Sequence, residues 1–175
     1  MKTLCCYVIT IAALFTVAML AHAVDGHPAW NTQINSPGRF TVLTQFNKEA
    51  IFDKETGLVW EKSPTPGAVD WETAYQSCLN KIVDNRKGWR LPTVQELASL
   101  IDLTQSDPSL PERHPFSNMQ LGGYWSATTW AHFPSDAWMV TFIAYVYGSG
   151  SVVPEHKLLD AHYWCVRGGQ GVDPQ

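Results

Sequence analysis

The side chains in this sequence that could do chemistry are six histidines, four cysteines, sixteen acidic residues and eight tryptophans. His22, His27, His114, His132, His156 and His162 show no metal-ligand spacing of the His-Glu-x-x-His kind. No Gly-x-Ser-x-Gly turn presents a nucleophilic serine. Calcium asks for six or more oxygen ligands, and between Asp102 and Asp160 only Asp107, Glu112, Asp136 and Glu155 are on offer, widely spaced. No metal, cofactor or catalytic group is therefore expected. The remaining chemistry is stacking: an exposed aromatic face can pack against a sugar ring while polar neighbours bond its hydroxyls. Trp130, beside His132 and Phe133 in a stretch without periodicity, is the tryptophan expected at the surface. Tyr145, Tyr147 and His156 are weaker candidates for the same ligand-binding surface.

Residues that carry a site must be held by a scaffold, and the ends of the chain say where it is expected to work. Lys2, an apolar run over residues 4–20 and Ala21-His22-Ala23 read as a signal peptide over 1–23, cleaved after Ala23, with a membrane anchor as the alternative. Cleavage implies a periplasmic or secreted protein with no stable membrane span. Residues 24–38, rich in Pro, Gly and Asn without an apolar period, read as an extended leader, 39–169 as one domain and 170–175 as a flexible tail. The formal net charge is −4, with charges scattered singly, which argues against nucleic acid as a partner. Cys78 and Cys165 survive processing, and an even count in an exported chain points to a disulfide; a free pair or a metal site is the alternative.

Within the domain, residues 39–46, 50–52 and 58–60 are rich in β-formers and are broken at turn residues, which predicts strands. Asp70 can cap a helix in which Trp71, Ala74, Tyr75, Cys78, Leu79 and Ile82 recur at three- and four-residue steps. Thr93-Val94-Gln95-Glu96 is a capping box that opens a second helix with Val94, Leu97, Ala98 and Ile101 inward, ending near Asp102. Residues 103–123 have no period and read as a long irregular loop, of a kind that often binds ligands. Strands are predicted over 124–129, 137–145, 151–153 and 162–167, with Gly148-Ser149-Gly150 as a turn. Helices grouped between strands indicate an α+β fold: a twisted, mostly antiparallel sheet flanked by two helices.

Several motifs in this order are familiar. They are the run from Phe52 to Glu61 that includes Asp53, Gly57 and Trp60; Trp71 with Ala74 and Cys78; and Gly88-Trp89-Arg90-Leu91-Pro92-Thr93 with Glu96-Leu97. They continue with Tyr124-Trp125-Ser126, Ala137-Trp138 and Cys165-Val166-Arg167-Gly168-Gly169. The chain resembles the Lcl C-terminal domain family, a bacterial family of unknown function named after a collagen-like adhesin, over roughly residues 40–169. The resemblance implies a C-type lectin-like fold, also similar to formylglycine-generating enzymes, with a bridge between a helix cysteine and a final-strand cysteine. It implies that variable loops, here within residues 103–154, carry the ligand. The Glu-Pro-Asn and Trp-Asn-Asp sequences of calcium-dependent lectins have no counterpart here. The cysteine pair that formylglycine chemistry requires would be consumed by the bridge.

Trp60, Trp71, Trp89 and Trp138 are assigned to packing. Arg90 is expected to lie against aromatic surface and pair with a carboxylate, Asp53 and Gly57 to shape a turn, and Arg167 to close the domain; Pro92 and Trp125 belong to the same structural signature. The function expected is non-catalytic recognition, through residues 123–135 and 145–156, of a glycan or of a protein at the cell surface or envelope. A structural envelope component is the alternative, and a catalyst like the formylglycine-generating enzymes a more distant one. Sulfated glycosaminoglycans, bound by adhesins that the family resembles, suit an acidic chain without a basic cluster poorly.

Overall fold

The computed structural model describes residues 38–143 and 147–169. The expected signal peptide, the leader apart from Gly38, Tyr145 and the tail lie outside the described residues. Nine short strands and two helices make up the described part. Strands β1 (Phe40–Val42), β2 (Ala50–Asp53), β3 (Val59–Glu61), β4 (Trp89–Arg90) and β9 (Val166–Arg167) form one sheet in the order β1-β2-β3-β9-β4. Strands β5 (Gly122–Thr129), β6 (Asp136–Ile143), β7 (Val152–His156) and β8 (His162–Tyr163) form a second sheet in the order β7-β6-β5-β8. Every pairing between these strands is antiparallel except β5 with β8. The helices are α1 (Trp71–Leu79) and α2 (Val94–Ala98). The expected α+β class with a mostly antiparallel arrangement and two helices is what the chain adopts, with two sheets in place of one.

Local chemistry explains where the elements stop. The strand predicted over 39–46 ends at Val42, because a turn of 3-10 helix at Thr44–Phe46 follows, and Asn47 and Lys48 take left-handed φ values of 50° and 62°. Between β2 and β3, the Asp53 carboxylate accepts from the Glu55 amide at 3.1 Å and the Thr56 hydroxyl at 2.8 Å, while Gly57 supplies a φ of +70°. The same carboxylate receives Arg39 through Nε at 2.8 Å and Nη2 at 2.7 Å, both residues being buried. Removing either partner would strand a buried charge, at about 3–5 kcal/mol.

Asp70 caps α1 by accepting from the Thr73 amide at 3.0 Å. Ala74 and Cys78 face the core, but Leu79 and Ile82 are 45% and 54% exposed, so the apolar stripe is wider than the face that is covered. Helix α2 opens with the expected capping box and closes at Ala98, before Ile101 and Asp102, where the Ser99 hydroxyl bonds back to the Glu96 carbonyl at 2.7 Å. The carboxylate expected for Arg90 is that of Glu96, in two bonds of 2.8 and 2.7 Å. Arg90 also donates to the Gly168 carbonyl at 2.7 Å, tying β4, the start of α2 and the glycines after β9 together. Arg167 closes the domain from the other side through the Lys87 carbonyl at 2.9 Å.

The strands predicted over 124–129 and 137–145 appear as the central β5–β6 hairpin, Gly122–Thr129 and Asp136–Ile143, with Tyr124, Trp125, Val140 and Phe142 fully buried. The single strand predicted over 162–167 is divided: β8 joins the second sheet and β9 inserts between β3 and β4 of the first. Trp164 and Cys165 in between are claimed by Glu61, whose carbonyl accepts from the Trp164 indole at 2.8 Å and whose carboxylate accepts from the Cys165 amide at 2.8 Å.

The buried apolar residues fall into two clusters. One holds Leu97 and Leu100 with Trp60, Tyr124, Val140, Phe142, Trp164 and Val166; the other holds Ala74 and Cys78 with Trp89, Trp125, Ala137, Met139, Tyr163 and Cys165. The Cys78–Cys165 disulfide fastens α1 to the segment entering β9 across a sequence separation of 87 residues. Closing a loop of that length restricts the unfolded chain by about 4–5 kcal/mol in the chain-entropy account. Urea unfolding followed by tryptophan fluorescence should therefore give a stability lower by about that amount for the Cys78→Ala, Cys165→Ala double variant than for the oxidised protein.

Candidate recognition surface

Two turns meet at one end of the second sheet. The first, residues 130–135, joins β5 to β6 and is closed by bonds from the Trp130 amide to the Asp136 carbonyl at 2.9 Å and from the Phe133 amide to the Trp130 carbonyl at 3.1 Å. The second follows β7, and pairing of Asp136 with His156 brings it alongside the first. The Lys157 amide then bonds the Ser135 carbonyl at 2.9 Å. Antiparallel register alone thus collects Trp130, His132, Phe133 and His156, all expected at the ligand-binding surface, on one edge.

The Trp130 ring is the hub, with centroid distances of 4.9 Å to Phe133, 5.8 Å to His132 and 6.2 Å to Trp138. Trp130 itself is half-buried, more covered than expected, because Trp138 packs under it; His132 is exposed and Phe133 is 56% exposed. Of the tryptophans assigned to packing, Trp60 and Trp89 are buried in the core, as is Trp125 of the structural signature, whereas Trp71 and Trp138 are half-buried. Tyr147 is held along β7 by a hydrogen bond from its hydroxyl to the Glu155 carboxylate, a partner that pushes its pKa up.

Lys157 joins the turns to α1. Its ammonium donates to the Thr129 hydroxyl at 2.8 Å and the Pro134 carbonyl at 3.0 Å, and lies 4.4 Å from the centroid of the Trp71 ring. Trp71 stacks on Tyr75 at 5.2 Å and bonds the Ser126 carbonyl at 2.8 Å through its indole nitrogen. Partial burial lowers the Lys157 pKa, opposed by the negative charges of Asp136 and Glu72. Beyond it, Leu158 and Leu159 are 79% and 52% exposed, beside Phe133's turn. Sequence reasoning missed Lys157, Leu158 and Leu159. The adjacent leucines in an otherwise polar stretch were the one available signal.

A separate cleft of about 350 Å³ lies between residues 61–66 and 81–84. At its floor the buried Glu61 carboxylate forms an ion pair with Lys81, whose ammonium also bonds the Thr65 hydroxyl at 2.7 Å. Because Glu61 also anchors Cys165, its carboxyl group is committed to the fold. Among the described residues no group of three or more His, Cys, Asp or Glu side chains could hold a metal ion. Nor, among them, is any helix long and apolar enough to cross a membrane.

Burial raises the Glu61 pKa, against the lowering effects of Lys81 and the Cys165 amide. A raised folded-state pKa means that the native state holds this proton more tightly than the unfolded chain, so its contribution to stability is full at low pH and is lost as pH rises through the folded value. Chemical denaturation should show that component, at most about 1.4 kcal/mol per pH unit for one proton, and Glu61→Gln should remove it while still accepting from Cys165. Lys157→Met keeps the aliphatic stem over Trp71 but deletes the donors. Hydrogen exchange at residues 130–136 should then accelerate by about tenfold, with the rates of α2 unchanged.

The Lcl C-terminal domain family model matches residues 49–167, which include the capping box, both cysteines and both turns of the surface. No curated protein matches the chain. The match covers more than half of the sequence, and the chain belongs to the Lcl C-terminal domain family.

Proposed function

We propose that this protein is a non-catalytic recognition module that binds carbohydrate at the end of the sheet where residues 130–135 and 156–159 meet. The observation that carries the reading is the exposure of Phe133 around a Trp130 ring that is itself backed by Trp138. An aromatic surface fixed from behind loses little freedom when it stacks on a sugar, and Ser135, Asp136 and His156 stand beside it as polar neighbours. Asp136 sets a negative charge beside the rings, and the nearest cation, Lys157, is engaged with Thr129, Pro134 and Trp71. Neutral or amino sugars therefore fit better than sulfated chains.

The reading includes a C-type lectin-like scaffold, supported by the helix-to-final-segment bridge and by a ligand surface carried on turns. It also includes export, supported by the apolar run before Ala21-His22-Ala23 and by a disulfide that persists in oxidising compartments. Attachment at the cell surface or envelope would follow from both. A protein partner is the second reading, favoured by Leu158 and Leu159, since exposed aliphatic side chains complement a protein surface better than a sugar.

The test is a glycan array probed with the oxidised protein from Val24, with and without calcium. Saturable binding to a neutral or amino glycan is expected, weakened by about tenfold or more in both Trp130→Ala and Phe133→Ala. Absence of binding to every glycan would defeat the carbohydrate reading, and loss of partner capture in Leu158→Ser, Leu159→Ser would then support the protein reading.

A further inference from the structure

His162 has an arrangement that packing alone does not explain. Its Nδ1 lies 2.9 Å from the Gly67 carbonyl oxygen and its Nε2 lies 2.7 Å from the Leu121 carbonyl oxygen. Both partners are acceptors only. A neutral imidazole carries one N–H and one bare nitrogen, so it can serve one of these carbonyls and must turn a lone pair towards the other. The imidazolium alone donates to both.

The two carbonyls belong to different parts of the chain. Gly67 follows residues 63–66, which wall the cleft over Glu61 and Lys81, and Leu121 ends the long segment 103–121 just before β5. Val69 is already paired with Ala161, and its carbonyl accepts from the Trp125 indole at 3.0 Å, so the first arm is pinned just beyond Gly67. Leu121 is 62% exposed, and the amide of neighbouring Gln120 bonds the Tyr124 hydroxyl at 2.6 Å. The Gly122 backbone runs against the ring, where an added Cβ would stand 3.5 Å from its Cδ2.

We propose that His162 is a proton-operated latch, doubly bonded and holding the Gly67 and Leu121 arms together when the imidazole is charged, and releasing one arm when it is neutral. The ionisable groups around it are few. Tyr124 of β5 faces it at a centroid distance of 5.6 Å and, with burial pushing its pKa up to about 12, stays neutral across the range in which imidazoles titrate. Asp160 precedes it on its own approach and is exposed, and residues 66–69 and 120–123 on the two arms carry no ionisable side chain. The switch therefore runs on the imidazole and the two carbonyl dipoles, with both bonds present at low pH and one lost as pH rises.

Amide hydrogen exchange of the oxidised protein from Val24 at pH 5 and pH 8, expressed as protection relative to intrinsic rates, reads this directly. Protection in residues 63–69 or 118–123 should fall by about tenfold at pH 8, the worth of one charge-assisted hydrogen bond, while that of α2 stays constant. His162→Leu and His162→Phe, which have no donor for either carbonyl, should show the low protection at both pH values. Equal protection of both segments in the unmutated protein at pH 5 and pH 8 would overturn the proposal, as would a pH-dependent loss that persists unchanged in either variant.

Discussion

The structure depends on the course of residues 161–167 between two hydrophobic cores. Ala161, Tyr163 and Cys165 point into the cluster that includes Ala74 and Cys78 of α1, while Trp164 and Val166 point into the cluster that includes Leu97 and Leu100. An extended chain sends alternate side chains to opposite faces, so one short segment can serve both cores only if it is apolar on both faces. The same segment belongs to both sheets, pairing with β5 through His162 and Tyr163 and with β3 and β4 through Val166 and Arg167. Its backbone is claimed by Glu61, which gives its amide to the Cys165 carbonyl at 3.2 Å and receives the Cys165 amide and the Trp164 indole. The disulfide adds a covalent hold at the point where those bonds converge.

Charged groups within the fold act as joints between elements that share little apolar surface. Arg39 with Asp53 ties the start of the domain to the β2–β3 turn, and Arg39 also donates to the Ser99 carbonyl after α2. Arg90 with Glu96 makes a capping carboxylate serve as a link to the Gly168 backbone just after β9. Lys157 does the same at the surface, using three kinds of partner to hold two turns against α1. Each joint carries directional bonds in a small domain whose strands are mostly two to five residues long. The aromatic end of the second sheet is presented on such a frame. Its turns are short and mutually bonded, which fixes the aromatic surface that they carry.

What could be read from the residues alone was whatever is written locally. The Asp70 cap, the Thr93 capping box, the turn at Asp53 and Gly57 and the pairing of two cysteines each depend on a few neighbouring side chains, and each is found. The division of 162–167 between two sheets was not legible, because alternation in a segment buried on both faces looks like one continuous strand. The ends of α1 and α2 were overestimated for a related reason: Ile82 and Ile101 extend the apolar spacing past the last helical residue. At the candidate surface, Trp130, His132 and Phe133 were recognisable as an aromatic stretch without period. His156 joined them through β6–β7 register, and Lys157, Leu158 and Leu159 became part of the surface only when that register brought the second turn alongside. Tertiary pairing of this sort leaves no local mark.

The most direct test of this account is native-state hydrogen exchange across a urea gradient, resolved at single amides. The Cys165 and Val166 amides should exchange only through global unfolding, merging with the slowest amides of the protein, while residues 130–136 exchange through smaller openings that leave the segment 161–167 protected. Exchange of Cys165 and Val166 by a local opening, before the cores around Trp125 and Trp164 are lost, would contradict the claim that the fold is organised around that segment.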